Sequence, residues 1–424
     1  MTAMRESGRI AWWMAGLLVI PLACADPAAD LDRAPHLRGL RIVTNPWPAW
    51  NERDAWTVDP VPAVRIGALD GPTHETFARI GSVSQTDDGN IVVADAGRGK
   101  SPRFVHVYRE DGSHLATWGG AQGRGPGELW EAHYARAVGG DTVLVSDSTM
   151  TWQTWFTVRD GYIRDRRTAI DATRHLVPPH ERFVALTALP GNGYLMKLQG
   201  AALVESRLKW TIGRDTVRYV WLDDDLAVVR DLGARPGDER LSLWVNRQSS
   251  SVPLLHSAKL AVGWDPTGAR LCAGDTMEPI VICHDRDGST TAFELRRDPI
   301  AIERHEWNDW LDQRRRFLDM IEVPAAVRDS LIAAIDMKSY RPVYSRLFVD
   351  DEMNVWVDVP RPRPDVAIGD TYSVHDRGGR YLGDVTMPAG LTVHEIRGDR
   401  VLGAIPGPVD VPLVWVHSIR RSPH

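Results

Sequence analysis

Six short stretches of this chain repeat one pattern: a tight turn, a run of β-formers, then often an acidic or small residue. They are DGN-IVVAD from Asp88, GDT-VLVSD from Gly140, GNG-YLMKL from Gly191, TGA-RLCAG from Thr267, MN-VWVD from Met353 and GDR-VLGA from Gly398. A repeat of roughly 40–50 residues holding about four strands marks a propeller blade. Six such units would use most of the 424 residues as one ring, displacing the two- or three-domain solutions that length alone allows. The expected fold is all-β, a six-bladed β-propeller. Such a ring is a platform, and activity sits in the groups grafted onto it.

Seventeen Trp against seven Phe fit this reading, because a large flat ring can wedge between neighbouring sheets. The formal net charge is −6, and no basic stripe carries interleaved aromatics. Nucleic acid is therefore set aside as a partner.

Residues 1–23 read as a signal peptide. Arg5 and Arg9 open it, and Ile10–Ala23 is an apolar stretch of 14 residues, short for a bilayer span. Pro21-Leu22-Ala23-Cys24 follows. A small residue before Cys at this place resembles the lipobox of bacterial lipoproteins, although Pro21 stands where that family prefers Leu. The resemblance implies lipid on the Cys24 sulfur. The alternative is an ordinary secretory signal cut near Ala23 or Ala25. Residues 24–63 then form a tether, in which Trp47, Trp50 and Trp56 could pack on the ring. The expected location is the periplasm or cell envelope, lipid-anchored. Asp26 rather than residue 25 is acidic, so the inner-membrane retention signal of lipoproteins is not met and the outer membrane is favoured.

Of three Cys, Cys272 and Cys283 flank a turn. A hairpin centred between Met277 and Glu278 leaves each five residues from the centre and facing the other. In an oxidising compartment that placement predicts a cross-strand disulfide. A one-residue slip would instead turn the two thiols to opposite faces.

Blade one is the plainest. Its strands are Ile80–Gln85, Ile91–Asp95, Phe104–Tyr108 and His114–Trp118, with Asp-Gly turns between strands. The glycine-rich run 119–129 lacks the Lys-Ser/Thr of a phosphate-binding loop. Phe77–Leu129 resembles an NHL-type repeat: a turn, a strand ending Ala94-Asp95, an alternating strand, and a GPGEL link where that family has GPGEF. The whole chain resembles the exported six-bladed β-propeller proteins of bacteria, most closely over 64–160 and least over 195–255. In blade three the later strands are expected at Val217–Leu222 and Leu226–Leu232. Val64–Leu69 is expected to pair with Val414–Ile419, so that the N-terminal strand closes the ring. The propeller is set at 64–424.

From Arg270 to Val355 is 85 residues, too long for one blade. Trp307, Trp310, Leu311, Phe317, Leu318 and Ile321 recur at helical spacing, and Val327, Leu331 and Ile335 resume it after Pro324. This predicts a helical insertion over 303–338 between blades four and five. Arg314-Arg315-Arg316 within it reads as a solvated face.

The second strands end at Asp95, Asp147, Gln199, Asp275, Asp358 and Ala404, placing Asp95, Asp147, Asp275 and Asp358 around one funnel face. Such carboxylates could ligate calcium, with Asp95, Asp147 and Asp358 as the metal candidates. Alternatively each accepts backbone N–H groups of its own loop. Recurrence within a structural repeat favours the second reading. Some six-bladed relatives are calcium lactonases with a His base, and others are lyases using His and Glu. Among the 14 His, neither His74, His106, His114, His133 nor His375 is tied by spacing to a partner, and GxSxG, HExxH and CxxC are absent. Catalytic residues stay unassigned. The expected function is an envelope-associated binding or scaffolding propeller, monomeric, with an envelope protein or glycan as partner. The alternative is a calcium-dependent hydrolase or lyase on the acidic face.

Overall fold

The computed structural model describes residues 37–51, 53–99, 101–121, 123, 125–129, 132–146, 152–167, 174–189, 193–200, 210–245, 248–361 and 368–421. The signal segment 1–23, the lipidation candidate Cys24 and the funnel candidate Asp147 lie outside the described residues. Residues 37–40 fall in a separate unit from 41–424. The rest concerns the larger unit.

Six sheets, each an antiparallel meander, follow one another along the chain and make a six-bladed β-propeller. Blade one spans Ile80–Gln85, Ile91–Asp95, Phe104–Tyr108 and His114–Gly119. Blade two runs from Tyr134–Gly139 to Gly161–Arg167, and blade three from Glu181–Ala188 to Gln248–Pro253. Blade four runs from Leu260–Trp264 to Thr290–Glu294 and blade five from Leu347–Val349 to Tyr381–Thr386. Blade six holds Thr392–Arg397, Arg400–Pro406 and Pro412–Arg420.

The core is divided among the junctions between blades. Val92, Val105 and Trp118 of blade one pack with Ala135, Val143 and Phe156 of blade two, where Trp118 and Phe156 stack with centroids 4.5 Å apart. Val138 and Leu144 meet Tyr194 and Met196. Leu195 and Trp221 meet Leu271. Phe293 meets Leu347 and Val355. Trp356 and Tyr372 meet Val393 and Val401. The last cluster joins Leu402 and Val414 of blade six to Val83 and Ile91 of blade one, and Val64–Ile66 pairs antiparallel with Val414–Val416 beside it. Alternate strand residues thus face opposite neighbours.

Cys272 and Cys283 stand opposite each other in the hairpin and are joined by a disulfide, both fully buried.

Two stretches go beyond the sequence reading. The first is the segment read as a tether, whose Trp50 and Trp56 pack on the ring. From residue 41 onward the chain lies along the blades: Ile42–Val43 adds parallel to Thr290–Glu294, the Trp50 amide donates to the Leu382 carbonyl at 2.8 Å, and Thr57–Val58 pairs with Pro412–Arg420. Burial of Trp50 and Trp56 against Trp356 drives this. Gly383 permits it, since a Cβ there would stand 2.4 Å from the Trp50 ring.

The second is blade three. Its strands are not Val217–Leu222 and Leu226–Leu232 but Trp210–Leu222 and Val228–Val245, an antiparallel hairpin reaching well beyond the blade. Between blades four and five lie two helices, α1 (Arg304–Met320) and α2 (Ala325–Ala333). Their apolar faces, with Trp307, Leu318 and Leu331 buried, pack on Leu241 and Leu243 of the hairpin, with Trp210 and Ile212 flanking. The hairpin runs on because the helices cover its apolar side. Among the described residues no helix is long and apolar enough to cross a membrane.

Candidate functional site

The second-strand aspartates are spent on their own loops. Asp95 is buried and accepts from the Ala78, Arg79 and Gly97 amides at 3.0, 2.9 and 3.1 Å. Asp358 accepts from the Ser345 and Arg346 amides, both at 2.7 Å, and from the Ser345 hydroxyl. Asp275 accepts from the Met277 amide at 2.9 Å and pairs with Arg214 of blade three. Gln199 bonds to Arg182 and Asp215, and Ala404 sits within its sheet. Among the described residues no group of three or more His, Cys, Asp or Glu converges on one point as metal ligands would. Asp95 and Asp358 tie the end of the second strand to the residues just before the first strand in blades one and five.

A second set of side chains repeats the trick at the opposite turn, between strands one and two. Asp265, Asp350 and Thr86 accept from the amides of Arg270, Asn354 and Asn90 at 2.6, 2.8 and 3.0 Å. In the glycine-rich run, Glu128 itself accepts from the Gly125 amide at 2.8 Å, so the loop binds its own carboxylate.

Of the histidines singled out in the sequence, His74 and His114 stack at 3.9 Å, and the Thr117 hydroxyl bridges His106 and His114. Burial pushes the His106 imidazole down to about 3. His375 lies flat on Phe293 at 4.4 Å, and burial pushes it to about 3 as well. Both act as neutral packing groups. The ring of His133 lies against Tyr134, and His133 is not among the residues lining either cavity described below.

The site the sequence reading missed lies on the first strands. A cavity of about 140 Å³ opens between the first strands of blades two, four, five and six, lined by Arg136, Trp264, Phe348, His394, Glu395 and Arg397 among others. First strands line the axis of a propeller, so this is the central channel. A bulge between Val393 and Glu395 leaves His394 unmatched in the ladder, and such a bulge re-aims side chains.

The electrostatics here are unusual. The Arg136 guanidinium lies 4.6 Å above the Trp264 ring, a cation–π contact. Its Nη1 is buried with no hydrogen-bond partner. Arg397 is committed to the Gln85 carbonyl and Asp87. Glu395 accepts from the Gln85 amide at 3.3 Å and stands 4.0 Å from Arg397. Burial pushes the Glu395 carboxyl up to about 7, against the pull of Arg136 and Arg397. Burial likewise pushes His394 down to about 4, helped by Arg346. The channel therefore offers one buried guanidinium N–H without an acceptor, beside a carboxyl that burial raises to about 7. A signal was present in the sequence: Arg136 in YARAV and His394-Glu395 in TVHEIR put charged and titratable groups within apolar first strands.

No family model matches this chain, and no curated protein matches it. Solved propellers do. A putative exported protein of Bacteroides fragilis aligns at 9% identity with a TM-score of 0.46, covering 90% of this chain and all of its own. A DUF4221 member from Bacteroides vulgatus aligns at 10% identity and the same TM-score, covering 87% of this chain and all of its own. A calcium-binding regucalcin of Agrobacterium tumefaciens aligns at 10% identity and a TM-score of 0.36, covering 85% of this chain and 97% of its own. At these values the likeness carries no argument about ligand or reaction.

Proposed function

We propose that this protein is a binding propeller of the cell envelope whose central channel takes a small organic anion against Arg136. The observation that carries this reading is the buried, unpartnered Nη1 of Arg136 at a cavity wall. A buried guanidinium N–H lacking an acceptor is costly, and an anion's oxygen supplies one. A volume of about 140 Å³ compares with the roughly 150 Å³ that holds one benzene-sized molecule. The ligand is thus a short carboxylate rather than a polymer.

Calorimetric titration of the exported protein with formate, acetate, propionate and benzoate tests it. Binding of one of them, lost in Arg136→Ala, is the expected result. Binding of none, or binding that survives Arg136→Ala, refutes the channel assignment.

The same reading takes residues 1–23 as the export signal and Cys24 as the lipid attachment point, with the outer membrane as the favoured location. It takes the NHL-like repeat as the origin of the blades and Val64–Ile66 as the strand that seals the ring. It takes α1 and α2 as an insertion and the protein as a monomer that meets an envelope protein or glycan. Labelling with a radioactive fatty acid, retained in the native chain and lost in Cys24→Ser, is the check on the anchor.

A further inference from the structure

A second cavity lies away from the channel, at the boundary between blades four and five and beside α1. It measures about 300 Å³ and is lined by His256, Ser257, Lys259, Arg341, Tyr344 and Asp358, with Leu254, Pro342 and Pro360 as apolar wall. Arg341 donates through Nη1 to the Arg361 carbonyl and through Nη2 to Glu306, but three buried donors here lack acceptors. The Ser257 hydroxyl, the Tyr344 hydroxyl and the Arg341 Nε are all buried and make no hydrogen bond. Ser257 is 2% exposed and Tyr344 fully buried. Burial, with Asp275 and Glu278 nearby, pushes the Tyr344 phenol far up, so it stays a neutral donor. Lys259 is exposed and enters no ion pair among the described residues.

The acceptors present are already engaged. Asp358 is spent on Ser345 and Arg346. Glu306 of α1 accepts from Arg341 at 2.8 Å and sits 2.6 Å from the His256 Nε2. His256 itself holds a left-handed backbone, φ 48°, a conformation that costs roughly 1 kcal/mol or more in a non-glycine residue and gathers at binding sites. Two independent features therefore coincide here: orphaned buried donors and local backbone strain, around a volume larger than an inorganic ion needs.

We propose that this off-axis cavity is a separate binding site for an organic anion, a carboxylate- or phosphate-bearing metabolite. Its acid oxygens meet Lys259, Ser257 and Arg341, and its carbon skeleton lies on Leu254, Pro342 and Pro360. The helix α1 is part of the site through Glu306, which holds His256 and Arg341 in place. This inference does not depend on the channel reading.

The test is isothermal titration of the exported protein with two sets of probes: succinate, citrate and malate as carboxylates, glycerol 3-phosphate and glucose 6-phosphate as phosphate monoesters. Binding at one site per chain by one set is expected, and the set that binds fixes the head group. Lys259→Ala and Ser257→Ala should each weaken it by about tenfold, the loss of one charge-assisted or neutral hydrogen bond. Both variants should keep the native circular dichroism. Binding unchanged in both variants, or abolished only by Arg136→Ala, overturns the proposal, as does binding of no member of either set.

Discussion

Replacing Asp95 by Ala is the sharpest test of how the second-strand aspartates work. The carboxylate is 3% exposed and accepts from three amides, those of Ala78, Arg79 and Gly97. Truncation leaves three backbone donors at the blade's inner end without their acceptor. Water can reach some of them, because Arg79 is exposed. Hydrogen bonds to a charged group contribute about 1.5–3 kcal/mol each, but they share one side chain and do not add fully. The expected loss is about 3–5 kcal/mol. Unfolding entropy is about 2.1 cal/mol/K per residue, so for the unit 41–424 the thermal midpoint should fall by about 4–6 °C. Asp95→Asn keeps one acceptor oxygen and should lose roughly half as much. Scanning calorimetry with and without 5 mM calcium is the assay. A drop that is the same in both buffers supports the loop role. A native midpoint that rises with calcium, with the rise abolished in Asp95→Ala, would refute it and return the residue to cation binding.

Two further outcomes are expected. Glu395 has a carboxyl raised to about 7, so its contribution to stability is fully present below its unfolded value near 4.5 and is lost as pH rises through about 7. Glu395→Gln should therefore unfold at a higher temperature than the native chain at pH 8 and at about the same temperature at pH 4, and a flat difference between the two pH values would contradict the burial argument. Replacing Cys272 and Cys283 together by Ser should cost about 3 kcal/mol, the loop-closure entropy of a separation of 11 residues, read as a shift in the urea midpoint that reducing agent reproduces in the native chain.

The ring was legible in the sequence because blades are local. Each hairpin is set by its own turn residues, and the pairing of Cys272 with Cys283 needs only the position of one turn. Blade three was misread because its strands answer to a distant partner. Leu241 and Leu243 look like ordinary strand residues, and only contact with Trp307 and Leu318 explains why the strands continue. The aspartates were found by repetition, and the bonds of Asp95, Asp275 and Asp358 show what the repetition serves. Arg136, Trp264 and Glu395 were missed because they come from three blades far apart in sequence. No spacing rule joins positions that a closed circle brings face to face. The second cavity was invisible for the same reason, since Ser257, Arg341 and Glu306 meet only after the helices fold back.

The outer part of the blade-three hairpin and the helical pair cover one another. Shortening the 210–245 hairpin to ordinary blade length would strip α1 and α2 of their seat, and excising the helices would leave Trp210, Ile212, Leu241 and Leu243 facing water on a long naked ribbon. Lineages should therefore gain or lose the two together, as one cassette split across the chain, even though blade four intervenes between its halves.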